Sequence, residues 1–108
     1  MVKLVILFKH PEDEDTFERH YARNLVLLEK MPGIVRRQAN MVLGGPAGKS
    51  PYYRILEFYF EDFDALDAAL TSKVGDAAGK QLMRTVGSLV ELVFVDVFED
   101  NTPVSPET

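Results

Sequence analysis

The chain has no cysteine. That excludes disulfides and thiolate metal sites, and it suits a reducing compartment. Histidine is scarce, with only His10 and His20. Neither forms a His-x-x-x-His or Glu-x-x-His pair at helical spacing, so no metal site is expected. No apolar run approaches the ~20 residues that a membrane helix requires, so no membrane partner is expected. Met1-Val2-Lys3-Leu4 runs straight into a strand-like pattern without the anatomy of a secretory leader. The expectation is a cytoplasmic protein. Basic residues are the minority, 12 against 17 acidic, for a net charge of −5. No basic stripe interleaved with aromatics is present, which argues against nucleic acid as a partner.

What is present is enough for one small domain: 108 residues, of which 46% are hydrophobic. Residues 1–98 carry the pattern of a fold, and 99–108 read as a polar, flexible tail with two prolines. Val2 to Lys9 predicts a strand with Val2, Leu4, Ile6 and Phe8 on one face and Val5 and Leu7 on the other. His10-Pro11 closes it. Asp13 is placed to cap a helix that runs to about Lys30, and Pro32-Gly33 ends that helix. Ile34 to Leu43 predicts a more polar strand, suited to an edge. The loop Gly44 to Pro51 leads into a strong strand from Tyr52 to Phe60. A helix opens near Asp62 with Phe63, Leu66, Ala69 and Leu70 on one face. Ser72 caps a second helical piece from Lys73 to Thr85, softened by Gly75 and Gly79. Glu91 to Phe98 predicts the last strand.

The order βαββαβ predicts an α+β, ferredoxin-like fold, an antiparallel four-stranded sheet with helices on one face. The first, third and last strands are nonetheless apolar on both faces. A second copy of the same sheet is the simplest cover for the other face, so a homodimer through sheet faces is expected.

Along the first helix, Phe17, His20, Tyr21, Asn24, Leu25, Leu28 and Met31 share one face. That face should be buried, yet His20, Tyr21 and Asn24 are polar, and buried polar groups need partners or a cavity. His20 reads either as a tuned acid/base or as a core-edge histidine bonded to a backbone carbonyl. Tyr21 and Asn24 read either as ligand contacts or as core mass. His10 reads as a pocket-mouth residue or, preferably, as a strand-end residue paired with the acidic first turn of the helix. Arg54 and Glu57 fall on opposite faces of the third strand, and Arg36 or Arg37 is the expected partner of Glu57. Gly48-Lys49-Ser50 is rejected as a phosphate loop. Leu43 stands where the first glycine belongs, and two strands flank the segment rather than a strand and a helix.

Several short stretches together resemble the EthD family of the dimeric α+β barrel superfamily. They are Phe8-Lys9-His10-Pro11-Glu12-Asp13, Phe17-x-x-His20-Tyr21, Met31-Pro32-Gly33-Ile34, Leu43-Gly44-Gly45-Pro46 through Ser50-Pro51-Tyr52-Tyr53, and Glu57-x-Tyr59-Phe60. One departure stands out. The family's first helix carries His-x-Pro-Leu, whereas Arg23 to Leu28 here place Asn24 or Leu25 at the family histidine and lack its proline. Asparagine cannot serve as a general base near neutral pH.

The resemblance implies a dimer with a helix–sheet pocket for a small organic molecule. Phe17, His20, Tyr21, Asn24, Leu28, Phe58 and Met83 are the expected lining, with Phe8 as a further wall. In an enzyme of this kind His20 is the catalytic acid/base, Tyr21 and Asn24 orient the substrate, and the chemistry is cofactor-independent oxidoreduction or degradation. Haem would need an axial ligand from His10 or His20 and is not favoured, so no cofactor is expected. The alternative is a non-catalytic homodimeric carrier, sensor or accessory protein in which His20 is structural.

Overall fold

A computed structural model describes residues 1–98 and 100 of the chain. The expected tail, 99–108, lies outside the described residues apart from Asp100. The elements are β1 (Val2–Lys9), α1 (Glu14–Leu28), β2 (Arg36–Met41), β3 (Tyr52–Phe60), α2 (Phe63–Thr71), α3 (Lys73–Val86), a 3-10 turn (Gly87–Leu89) and β4 (Val90–Asp96). The four strands form one sheet in the order β2-β3-β1-β4, every neighbouring pair antiparallel. This is the ferredoxin-like α+β arrangement that the pattern predicts.

Local chemistry sets the element boundaries. The carboxylate of Asp13 accepts from the Thr16 amide, that of Asp62 from the Ala65 amide, and the Ser72 hydroxyl from the Gly75 amide. Each satisfies one of the orphan donors of a helix start. Ser72 also ends α2, its amide donating to Ala68 O, so a single residue separates two helices. α1 ends at Leu28, short of Lys30, because the next turn tightens: Lys30 donates to Leu27 O and Met31 to Leu28 O. β2 is shorter than the expected Ile34–Leu43, and β4 is Val90–Asp96 rather than 91–98. Beside β4, Val97 N donates to Met1 O at 2.9 Å. Gly75 and Gly79 do not interrupt α3, which is continuous from Lys73 to Val86.

The sheet has two unlike faces. Leu4, Ile6, Phe8, Leu56, Phe58 and Phe60 are fully buried beneath α1, α2 and α3, together with Phe17, Leu28, Leu66, Ala78 and Leu82. Three rings interlock there, Phe8 meeting Phe17 and Tyr21 edge-on at 5.6 and 5.5 Å between centroids. The opposite face pairs Val5 with Val93 and Leu7 with Ile55, flanked by Lys3, Glu57 and Tyr59. Among the described residues, no helix packs on this second face. Its polar residues satisfy one another: Lys3 Nζ donates to Glu57 at 2.7 Å, Asn40 Nδ2 to the other carboxylate oxygen at 3.1 Å, and Tyr59 OH to Gln38 at 3.3 Å. The guanidinium of Arg36 covers the Tyr59 ring at 4.1 Å. The partner of Glu57 is therefore Lys3 and not Arg36 or Arg37. Arg37 lies on the helical side and pairs with Glu29 at 3.3 Å.

A bulge between Phe8 and Lys9 leaves Tyr53 unpaired in the β1–β3 ladder, so that Tyr52 meets Lys9 and Arg54 meets Phe8. Tyr53 and Arg54, neighbours in a strand, consequently both reach α1 at Glu18.

Candidate functional site

The polar stripe of α1 divides among three surroundings. Tyr21 points to the sheet, its ring 4.3 Å from the Arg54 guanidinium. Arg54 is held by both oxygens of Glu18, at 2.8 and 2.9 Å. Burial raises the Tyr21 phenol above its usual range, with Arg54 pulling the other way, and its buried hydroxyl has no partner among the described residues. Burial works to lower the pKa of Arg54, but the hydrogen bonds and charge of Glu18 outweigh it, raise the value above the usual arginine range and hold the guanidinium charged.

Asn24, 2% exposed, turns toward α3. Its Nδ2 donates to Thr85 Oγ1 at 3.0 Å, and the Thr85 hydroxyl in turn donates to Gln81 O at 2.8 Å. That relay fixes the amide orientation and leaves Asn24 Oδ1 buried without a partner among the described residues.

His20 is half-buried in a groove of about 200 Å³ shared with Pro11, Phe17, Thr85, Val86 and Leu89. Among the described residues it makes no hydrogen bond to a backbone carbonyl. His10 bonds to Ser50 O at 2.8 Å and leans on Tyr53, so its partner is the β2–β3 loop and not the acidic first turn of α1. It does border a hollow of about 460 Å³, with Val42, Gly44, Lys49 and Tyr52 on the other walls.

Phe17, Leu28 and Phe58 belong to the core, and Phe8 lies among them. Met83 does not join them. It is half-exposed on α3, beside a surface groove that includes Arg84 and Leu92. The expected lining is thus split: His20 with Phe17 in one groove, Tyr21 and Asn24 packed against neighbours, Met83 outside, and Leu28 at a cavity elsewhere.

That cavity has about 100 Å³ and lies between helices and sheet, open toward the β4 edge, where Leu92 and Phe94 are about half exposed. Leu4 and Ile6 of β1 form its floor, Leu92 and Phe94 of β4 its outer wall, Leu28 of α1 its inner wall, and Leu70, Gly75, Gly79 and Leu82 its roof. No titratable side chain lines it. The groove beside Met83 shares Leu70, Gly75, Gly79, Leu82 and Leu92 with it, so the two are continuous. A pattern of apolar residues cannot separate a cavity wall from solid core, and most of this lining carried no signal. One clue was present. Gly75 and Gly79 stand one turn apart on a single face of a helix, where glycine is costly.

Fold and topology define a class: a small ferredoxin-like α+β domain with its helices on one face of an antiparallel sheet. The model of the EthD domain matches residues 9–84. A crystal structure of an ethyl tert-butyl ether (EthD) family protein from Bacillus halodurans is 34% identical, with a TM-score of 0.85 over 89% of this chain and 97% of that one. The chain belongs to the EthD family. More distant structures share the fold alone. A dimeric ferredoxin-like protein of unknown function from Jannaschia is 18% identical, with a TM-score of 0.68 over 90% of this chain and all of that one. SnoaB, a cofactor-independent oxygenase from Streptomyces nogalater, is 17% identical, with a TM-score of 0.65 over 94% of this chain and 97% of that one. Among the described residues, no helix is long and apolar enough to cross a membrane.

Proposed function

We propose that the protein is a homodimer that binds a small, uncharged organic molecule in the helix–sheet chamber. The observation that carries this reading is the chamber itself, walled by leucine, isoleucine, phenylalanine and glycine and joined to the surface by a groove. Apolar cavities of about 150 Å³ stay dry and take up benzene or xenon, and this one is of that order. The dimer reading rests on the second sheet face, where Val5, Leu7, Ile55 and Val93 have no helix over them. The test is a benzene titration followed by methyl resonances. Saturable shifts confined to Leu82, Leu92 and their neighbours support the reading, and unsaturable or scattered shifts remove it.

Turnover is a second reading, favoured by one observation. His20 shares its groove with the Thr85 hydroxyl and the Phe17 ring, an acid/base group beside an apolar surface. This is the site at which cofactor-independent chemistry of the kind named for SnoaB would be sought. His20 and Leu28 are two helical turns apart, about 12 Å along α1, with the Asn24–Thr85 bond between them. The chamber and the imidazole therefore form separate sites, and binding is the better-supported function. Loss of a measured turnover in His20→Ala, with benzene binding intact, would establish the second reading.

A further inference from the structure

Two glycines line the chamber from α3, and they stand there for different reasons. At Gly75 a Cβ would lie 1.9 Å from the Ala69 carbonyl oxygen. The tight Ser72 junction brings the end of α2 against the start of α3, and only glycine fits. At Gly79 a Cβ would meet nothing within 4 Å. Nor does the backbone call for glycine, since positive φ among glycines occurs at Gly33, Gly44 and Gly48 and not here. Mid-helix glycine exposes backbone and lowers helix propensity. Neither packing nor conformation accounts for Gly79. What remains is the space that it leaves open.

Gly79 borders both the chamber and the surface groove, where the two meet. Leu70, Leu82 and Leu92 also line both hollows. A side chain at this position would take up part of the open space that the glycine leaves. Beyond it the groove carries Asp76 and Lys80, which pair with each other at 2.9 Å, and Arg84, which forms no ion pair among the described residues.

We infer that Gly79 is the size-determining residue of the chamber, keeping the space where chamber and groove meet free for an apolar ligand of about one small ring. The inference rests on the chamber being the binding site. The ligand enters past Gly79, its apolar body lies against Leu4, Ile6 and Phe94, and any polar substituent stays outside beside Lys80 and Arg84. No hydrogen-bonding group inside the chamber would compensate a buried polar one.

The experiment compares wild type, Gly79→Ala and Gly79→Val by benzene titration, with melting temperature and far-UV circular dichroism recorded for each. Gly79→Ala is expected to melt higher by about 4 °C, because alanine is the better helix former and its Cβ meets no neighbour. It is also expected to bind benzene about tenfold more weakly. Gly79→Val is expected to keep the fold and lose detectable binding. Should Gly79→Val fail to fold, Gly79→Ala alone decides the matter. Variants that fold and bind benzene within about twofold of wild type overturn the inference while the chamber reading stands. Wild type that does not bind benzene overturns both.

Discussion

The guanidinium of Arg54 is gripped by both carboxylate oxygens of Glu18 across the helix–sheet interface, at 2.8 and 2.9 Å. Arg54 Nε adds a third bond at 3.3 Å and Tyr53 OH a fourth at 3.0 Å, and the Tyr21 ring lies under the guanidinium. Bidentate, charge-assisted bonds of this kind are the strong ones. Glu18→Gln should therefore destabilise the protein by about 1–3 kcal/mol, since it strands a part-buried cation. The double variant Glu18→Leu/Arg54→Met should recover most of that loss, because an apolar pair of similar size needs no desolvated charge. Urea unfolding of Glu18→Gln checks the first statement, and that of Glu18→Leu, Arg54→Met and their double, read as a thermodynamic cycle, checks the second.

Lys3 titrates above the usual lysine range chiefly because it donates to Glu57, with burial opposing. A raised value in the folded state means that the pair's stabilisation is fully present below about pH 10 and is lost as pH climbs through the raised value. Wild type should lose melting temperature between about pH 10 and pH 12 more steeply than Lys3→Met. Asp13 behaves in the opposite sense. The Thr16 hydroxyl and amide hold its carboxyl below the usual aspartate range, so its contribution exists above about pH 4 and fades in more acid solution. Asp13→Asn should flatten the acid limb of the same profile.

Asn24 offers a sharper case. Its carbonyl oxygen is buried and unpaired among the described residues, while its amide nitrogen serves Thr85. Removing both polar partners can be neutral or better, since the orphaned oxygen disappears with them. Asn24→Leu/Thr85→Val should remain within about 1 kcal/mol of wild type in chemical denaturation. A loss above about 2 kcal/mol would mean that Asn24 makes a bond in solution that the folded chain alone does not supply.

The uncovered sheet face yields a test of assembly. Leu7 lies at its centre, paired with Ile55 on one side and Glu91 on the other. Leu7→Asp should shift the mass measured by light scattering from two chains to one while leaving far-UV circular dichroism unchanged. An unchanged mass at micromolar concentration would rule out this face as the interface.

Gly75→Ala separates packing from space. Its Cβ would fall 1.9 Å from Ala69 O, so the Ser72 junction must open. We expect a drop in stability of about 2 kcal/mol or more, opposite in sign to the gain expected at Gly79 one turn away.

Period and punctuation made the fold readable. Alternation in Val2–Lys9 and Tyr52–Phe60, together with the capping side chains Asp13, Asp62 and Ser72, located most elements closely. The site was less readable for a geometric reason. Residues on one helix face need not share a neighbour. Tyr21 and Asn24 are about 60° apart on the wheel, and that suffices to send one to the sheet and the other to α3. The partner of Glu57 was misread because Arg36 and Arg37 lie nearby on β2, whereas Lys3 reaches it from β1 on the other side. Gly79 was visible as a helix-weakening residue, but nothing in a linear pattern says that the space beside it is empty.

The unpaired Tyr53 has one further consequence. A regular strand that loses a residue must turn every later side chain over, exchanging core for solvent. β3 need not. Its extra residue lies near the hairpin end, ahead of Arg54, Leu56, Phe58 and Phe60. A one-residue deletion in the connecting loop can draw on that slack, giving up the Tyr53 contact and leaving the hydrophobic register intact. The bulge thus confines the change of register to the hairpin end of β3, and the alternation from Arg54 to Phe60 keeps its buried side intact.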